Sequence, residues 1–132
     1  MNVNQKGVKG LIKVIDDLQD KSYYTFTAFD DHSPIDLIAV DKFGQSYRLQ
    51  VKYREKDPRK ISEKYSINAF SVVSGKKIPI DRNMIDGWAV YLANINRVVY
   101  INKTLLEDKV CLVIDPNKDY GELDEWFKSA PC

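Results

Sequence analysis

The stretch Ser33-Pro34-Ile35-Asp36-Leu37-Ile38-Ala39-Val40 turns through Asp41-Lys42-Phe43-Gly44 into Gln45-Ser46-Tyr47-Arg48-Leu49-Gln50-Val51-Lys52-Tyr53. Ile35 to Val40 is an apolar run interrupted by one carboxylate, Asp36, and Gln45 to Tyr53 alternates in the two-residue period of a strand. The four residues between them suit a tight hairpin. Gln50 and Lys52 are two apart, so they leave the same face, while Leu49, Val51 and Tyr53 take the opposite one and can pack. If the hairpin brings Asp36 alongside, a carboxylate, an amide oxygen and an ammonium converge. The plainer alternative makes Asp36 a turn cap after Pro34, with Gln50 and Lys52 on an exposed strand face. An unpaired carboxylate inside an apolar run is costly, which favours convergence.

Working outward, Val8, Leu11, Ile12, Ile15 and Leu18 recur at helical spacing and predict an amphipathic helix from about Asn4 to Lys21. Gly7 and Gly10 weaken its first turns by roughly 1 kcal/mol each relative to alanine, which suggests a close approach there. Tyr23 to Ala28 reads as a strand. Tyr65 to Val73 reads as an extended excursion, or a hairpin, running on through Gly75-Lys76-Lys77 to Ile80 and carrying most of the basic charge. Trp88 to Leu92, Val98 to Ile101 and Val110 to Ile114 are further strands, and Tyr120 to Lys128 is a short helix. No repeat or Pro/Gly-rich linker divides residues 1–132, so a single α/β (α+β) domain is expected, with a mixed central sheet and flanking helices.

The composition, 44% hydrophobic and 30% charged, is that of an ordinary globular chain. No run approaches the roughly 20 apolar residues of a membrane span, and the first residues lack a secretory core, so a cytoplasmic protein without a membrane partner is expected. One histidine and two distant cysteines exclude a Cys/His zinc site within one chain. Cys111, within Val110-Cys111-Leu112-Val113-Ile114, reads as a small core residue. The net charge of +1 hides an asymmetry: residues 54–82 hold eight basic and four acidic side chains, and residues 104–132 hold three basic and seven acidic. A basic middle segment can grip a polyanion, and an acidic end would face away from it.

Asp36, Gln50 and Lys52 suit phosphodiester hydrolysis. Mg2+ prefers oxygen ligands and keeps several waters, so Asp36, the Gln50 amide oxygen and the Val51 carbonyl would serve it, with Mn2+ or Ca2+ as substitutes in binding. The ion would activate water, and Lys52 would orient that water or offset the charge developing on phosphorus. Double-stranded DNA would be held through Arg54, Lys56, Arg59, Lys60, Lys64, Lys76, Lys77 and Arg82 on phosphates. Ser66 and Asn68, alternating along the excursion with Lys64 and Ser71, would reach base edges. His32 beside the site reads as a surface residue. Trp126 and Phe127 read as packing on the core or on a neighbouring subunit.

These residues resemble the PD-(D/E)xK nuclease superfamily, whose core motif is an acid at the start of one strand and Glu-x-Lys or Asp-x-Lys on the next. Ser33 to Val40 followed by Tyr47-Arg48-Leu49-Gln50-Val51-Lys52 is similar to its Gln-x-Lys variant. Ile85-Asp86-Gly87-Trp88-Ala89-Val90-Tyr91-Leu92 and Val98 to Ile101 are similar to later strands of one subfamily, so the resemblance spans about residues 5–102. It is greatest to the intron-encoded homing endonucleases of cyanobacteria. It implies a site-specific double-strand cutter acting as a homo-oligomer, a dimer or tetramer, on the nucleoid of a prokaryotic cytoplasm. Holliday-junction resolvases share the core, and a non-catalytic DNA-binding module would keep the basic segment alone. Relatives commonly place a glutamate after Lys-Gly-x-x-Gly in the first helix. Here Lys6-Gly7-Val8-Lys9-Gly10 is followed by Leu11, so a ligand that the resemblance implies is missing.

Overall fold

The computed structural model describes residues 1–30, 33–60, 62–73 and 75–127. The amphipathic period near the start forms helix α1, Val3–Asp20. Asn2 and Gln5 close its first turn reciprocally: each side-chain oxygen accepts the other's backbone N–H, at 2.8 and 2.9 Å. Val14 and Leu18, both fully buried, seat the helix on the sheet, each side chain contributing about 1.5–3 kcal/mol of burial. Of the two early glycines, Gly10 marks the close approach: a Cβ there would sit 3.3 Å from the Cβ of Tyr53, whereas Gly7 has nothing within 4 Å.

Five strands expected from sequence form the central sheet: β1 Tyr24–Thr27, β2 Leu37–Val40, β3 Ser46–Arg54, then β7 Gly87–Leu92 and β8 Arg97–Asn102. Their order is β1-β2-β3-β7-β8, antiparallel throughout except for the parallel β3–β7 pair. The β2–β3 turn is pinned as its sequence suggests. Asp41 Oδ1 accepts the N–H groups of Phe43 and Gln45, and Gly44 takes the positive φ of 85°. In register, Leu37 faces Leu49 and Ala39 faces Tyr47. These four side chains, with Ala89 and Tyr100, form the core under α1.

The opposite face carries Trp88, Val90 and Leu92 of β7 with Val99 and Ile101 of β8. It is covered by ribbons, so that among the described residues α1 is the α-helix that flanks the mixed sheet. β4 Tyr65–Asn68 pairs with β9 Cys111–Ile114 and supplies Tyr65, Ile67 and Ile114. β5 Phe70–Val73 pairs separately with β6 Lys76–Pro79. The excursion therefore divides at Ala69 into the strand β4 and the β5–β6 hairpin. The Ala69 N–H goes to Val110 and its carbonyl to Ile80, while Asn68 Oδ1 accepts the N–H of Phe70.

Two further expectations are corrected. Cys111 is exposed rather than part of the core. A two-stranded ribbon has one covered face, so only alternate residues of an apolar run turn inward, here Ile114 and partly Leu112. The helix expected over Tyr120–Lys128 is a single 3-10 turn, Leu123–Glu125. Docking outweighs propagation of so short a helix: Leu123 is buried, and Trp126 lies over Gly87, where a Cβ would collide with the Ile101 carbonyl and the Trp126 indole. Phe127 stacks on Tyr47 with ring centroids 5.4 Å apart, so both aromatic residues pack on the domain itself. Lys128 and Cys132 lie outside the described residues.

Candidate active site

Asp36 lies one residue before β2 and already pairs on both sides. Its N–H donates to the Leu49 carbonyl at 2.9 Å, and its own carbonyl accepts from Ala28 at 3.4 Å. Because Leu37 is the partner of Leu49, Asp36 falls opposite Gln50, and residues opposite one another share a face. The hairpin thus brings Asp36, Gln50 and Lys52 to one side of the sheet. The Asp36 carboxylate turns at the strand edge so that Oδ2 accepts the Val51 N–H at 2.8 Å. It also borders a cavity of about 690 Å³ whose walls include Gly7, Val8, Leu11, Thr27, Asp30 and Val51. Leu11 therefore stands beside Asp36 and Val51, at the wall where the resemblance implies an acid.

The site is electrostatically uncomfortable. Burial pushes the Asp36 carboxyl up, against the opposing pull of the Val51 N–H and the Lys52 charge. Burial, and then the nearby Arg54 charge, bring the Lys52 ammonium down to about 8, against the attraction of Asp36. No ion pair joins Asp36 to Lys52. Each group is thus held partly out of water without direct contact with its natural partner.

Gln50 is almost wholly buried, and its Oε1 accepts the Trp88 indole N–H at 3.1 Å. The two residues are opposite each other in the parallel β3–β7 pair. Below them Arg48 is riveted to Asp86. The Arg48 N–H donates to Asp86 Oδ2 at 2.8 Å, its guanidinium reaches both carboxylate oxygens, and the Asp86 N–H returns a bond to the Arg48 carbonyl. Sequence reasoning gave no site role to Trp88, Asp30 or Asp86, although Asp86 and Trp88 lie in a segment that carries the family resemblance. The one available signal was a buried-strand tryptophan, which needs an acceptor for its N–H.

The residues assigned to DNA divide into two groups. Arg54 donates to the carbonyls of Ser66 and Tyr53 at 2.7 and 2.8 Å, which ties β4 to the end of β3. Arg82 donates to the carbonyls of Glu107 and Lys109. Lys56 lies 4.5 Å from the centroid of the Tyr65 ring. Arg59 is solvent-exposed and paired with Asp57 at 3.1 Å. Lys60, Lys64, Lys76 and Asn68 are exposed, and Ser66 is half-buried. The side chain of Lys77 and the whole of His32 lie outside the described residues, as does the side chain of Ser71. Exposed cations therefore remain around the β4 and β5–β6 segments, while two arginines hold main chain.

Among the described residues, no three His, Cys, Asp or Glu side chains gather as a metal cage. One carboxylate with neighbouring carbonyls suits a hard cation that keeps most of its waters rather than a zinc-type ion. Among the same residues no helix is long and apolar enough to cross a membrane.

No family model matches the sequence, and no curated protein matches it. The architecture nonetheless belongs to a recognisable class: a mixed α+β domain with a five-stranded mixed sheet and, among the described residues, one α-helix, similar in fold to a homing endonuclease. The solved structure it resembles is that of a bacterial homing endonuclease, I-Ssp6803I. The TM-score is 0.70 over 95% of this chain and 87% of that one, at 11% sequence identity. At that identity the likeness is one of fold.

Proposed function

We propose that the chain is a divalent-metal-dependent DNA endonuclease of the PD-(D/E)xK type, cutting double-stranded DNA at specific sites as a homing endonuclease does. The observation that carries this reading is the convergence of Asp36, Gln50 and Lys52 on one sheet face, on a fold similar to that of a homing endonuclease. A magnesium ion at Asp36 and the Val51 carbonyl would polarise the scissile phosphate and acidify a bound water. Asp36 offers the charged oxygen, with Oδ2 fixed on the Val51 N–H. Lys52 donates N–H groups to phosphate oxygens and offsets the charge gathering there, an interaction strengthened by its partial burial. Lys60, Lys64 and Lys76 supply sequence-independent grip, and the exposed edge of β4 reads bases. The homo-oligomer finds support in apolar side chains left open on α1 and the edge strand β1, among them Val8, Ile12, Tyr24 and Phe26, each more than half exposed.

The test is cleavage of supercoiled plasmid and mixed-target DNA with Mg2+ and with EDTA, by this chain, Lys52→Ala and Leu11→Glu. We expect Mg2+-dependent cutting that Lys52→Ala abolishes; cutting unchanged in Lys52→Ala sinks the mechanism. A second reading, a non-catalytic DNA-binding module, is favoured by the apolar Leu11 on the site wall. It requires duplex binding without cutting in all three proteins. A four-way-junction substrate separates a resolvase from a cutter of linear sites.

A further inference from the structure

Trp88 controls which end of the Gln50 amide the candidate site receives. An indole N–H is a donor only, so the atom 3.1 Å from Trp88 Nε1 must be the amide oxygen. Trp88 has no exposed surface and stands on β7, across β3 from Asp36. The oxygen is thereby committed to Trp88, a fully buried residue of the apolar core beneath β7, a poor place for an ion that keeps its waters. Nε2, at the other end of the planar amide of a residue that lies opposite Asp36 in the β2–β3 register, makes no hydrogen bond to a described residue. It has two N–H donors to offer.

We infer that Gln50 meets DNA as a hydrogen-bond donor to a phosphate oxygen, not as a metal ligand, and that Trp88 is the positioning residue that sets this polarity. The inference rests on the nuclease reading but reverses the role that a Gln-x-Lys motif would otherwise give its glutamine. A phosphate oxygen accepts N–H donors strongly, so the amide adds to DNA affinity whether or not a metal is present.

Three substitutions test it: Gln50→Met, similar in length without a donor; Gln50→Glu, which keeps an acceptor for Trp88 but replaces the NH2 with oxygen; and Trp88→Phe, which frees the amide to rotate. Binding to mixed-sequence duplex DNA is measured in EDTA, and cleavage is measured across a Mg2+ titration, with melting temperature checked for each protein. We expect Gln50→Met to lose about tenfold in EDTA affinity, the value of one charge-assisted hydrogen bond. Trp88→Phe loses less, and its loss vanishes in the Gln50→Met background, which a purely structural role for Trp88 would not produce. Gln50→Glu cuts more slowly at saturating Mg2+ without needing less of the ion. The inference is overturned if Gln50→Met leaves EDTA binding unchanged, or if Gln50→Glu cuts as well with a lower Mg2+ requirement. Failure of the wild-type chain to bind duplex at all overturns the nuclease reading and this inference together, whereas binding and cutting with an indifferent Gln50→Met overturn only the latter.

Discussion

Two polar clusters lie on the same small domain and are built on opposite principles. At the end of α1, Tyr100 donates its hydroxyl to Asp17 Oδ2 at 2.5 Å. Lys21 reaches Asp17 at 3.0 Å and Glu122 at 2.9 Å, and sits 5.1 Å from the centroid of the Tyr100 ring. Every charge there has a partner, and the cluster ties helix, sheet and C-terminal segment together. Just before β2 and toward the end of β3, Asp36 and Lys52 are each buried more deeply than Lys21, yet no ion pair joins them. Burial with partners is how polar groups hold a fold, whereas burial without them costs stability and is retained where chemistry needs it.

The contrast breaks or sharpens under substitution. The largest expected effect is Lys52→Met, which should lower plasmid cleavage by about a hundredfold or more, the scale of losing a donor to transition-state charge. The same change should leave the melting temperature equal or higher, because an unpaired, mostly buried ammonium is exchanged for an apolar chain of similar length. A fall of several degrees would show that Lys52 belongs to the scaffold after all. Asp17→Ala should do the reverse. Removing the acceptor shared by Tyr100 and Lys21 should cost about 1–3 kcal/mol in denaturant unfolding, with cleavage per folded molecule unchanged.

Smaller still is Tyr100→Phe, at about 1 kcal/mol near neutral pH, but it carries a pH signature. Burial, followed by the hydrogen bond to Asp17, holds the Tyr100 phenol well above its ordinary value. The folded chain therefore keeps this proton after the unfolded chain has released it. Stability falls as pH rises beyond about 10, the value for a free tyrosine. The alkaline limb of the unfolding curve should be shallower in Tyr100→Phe than in the wild type. It should not vanish, because Tyr23 and Tyr47 are raised as well. An unchanged limb would show that Tyr100 carries none of the alkaline loss.

How much of this was legible in the sequence depended on the range of the interactions. Helix α1 and the β2–β3 hairpin were readable because period and turn chemistry are local, and the hairpin alone places Asp36 opposite Gln50. The break at Ala69 was not, because the strand changes partner there, from β9 to β6, and both partners lie farther along the chain. Nor was the use of Arg54 and Arg82. A count of cations cannot reveal that two guanidiniums are taken by carbonyls in other segments. Leu11 fitted the apolar period of its helix, and it both packs against the core under α1 and lines the cavity that Asp36 and Val51 border. The polarity of Gln50 was hidden for the same reason as the strand break: Trp88 stands 38 residues away, on a strand that reaches β3 only through the parallel crossover.

The smallest effect is the most discriminating about the partnered cluster. Lys21 meets two carboxylates, but they are not equivalent: Asp17 also receives the buried Tyr100 hydroxyl, whereas Glu122 is about half exposed. Exposed ion pairs contribute roughly 0–1 kcal/mol, so Glu122→Gln should shift stability by about 0.5 kcal/mol or less and should fade further in high salt. Combining Glu122→Gln with Asp17→Ala then tests whether the cluster acts as a unit. If Lys21 is held mainly by Asp17, losing Asp17 makes Glu122 its sole partner, and the double variant should lose more than the sum of the singles. Simple additivity would mean that the two carboxylates act independently, and that the contrast with the Asp36–Lys52 site lies in burial alone.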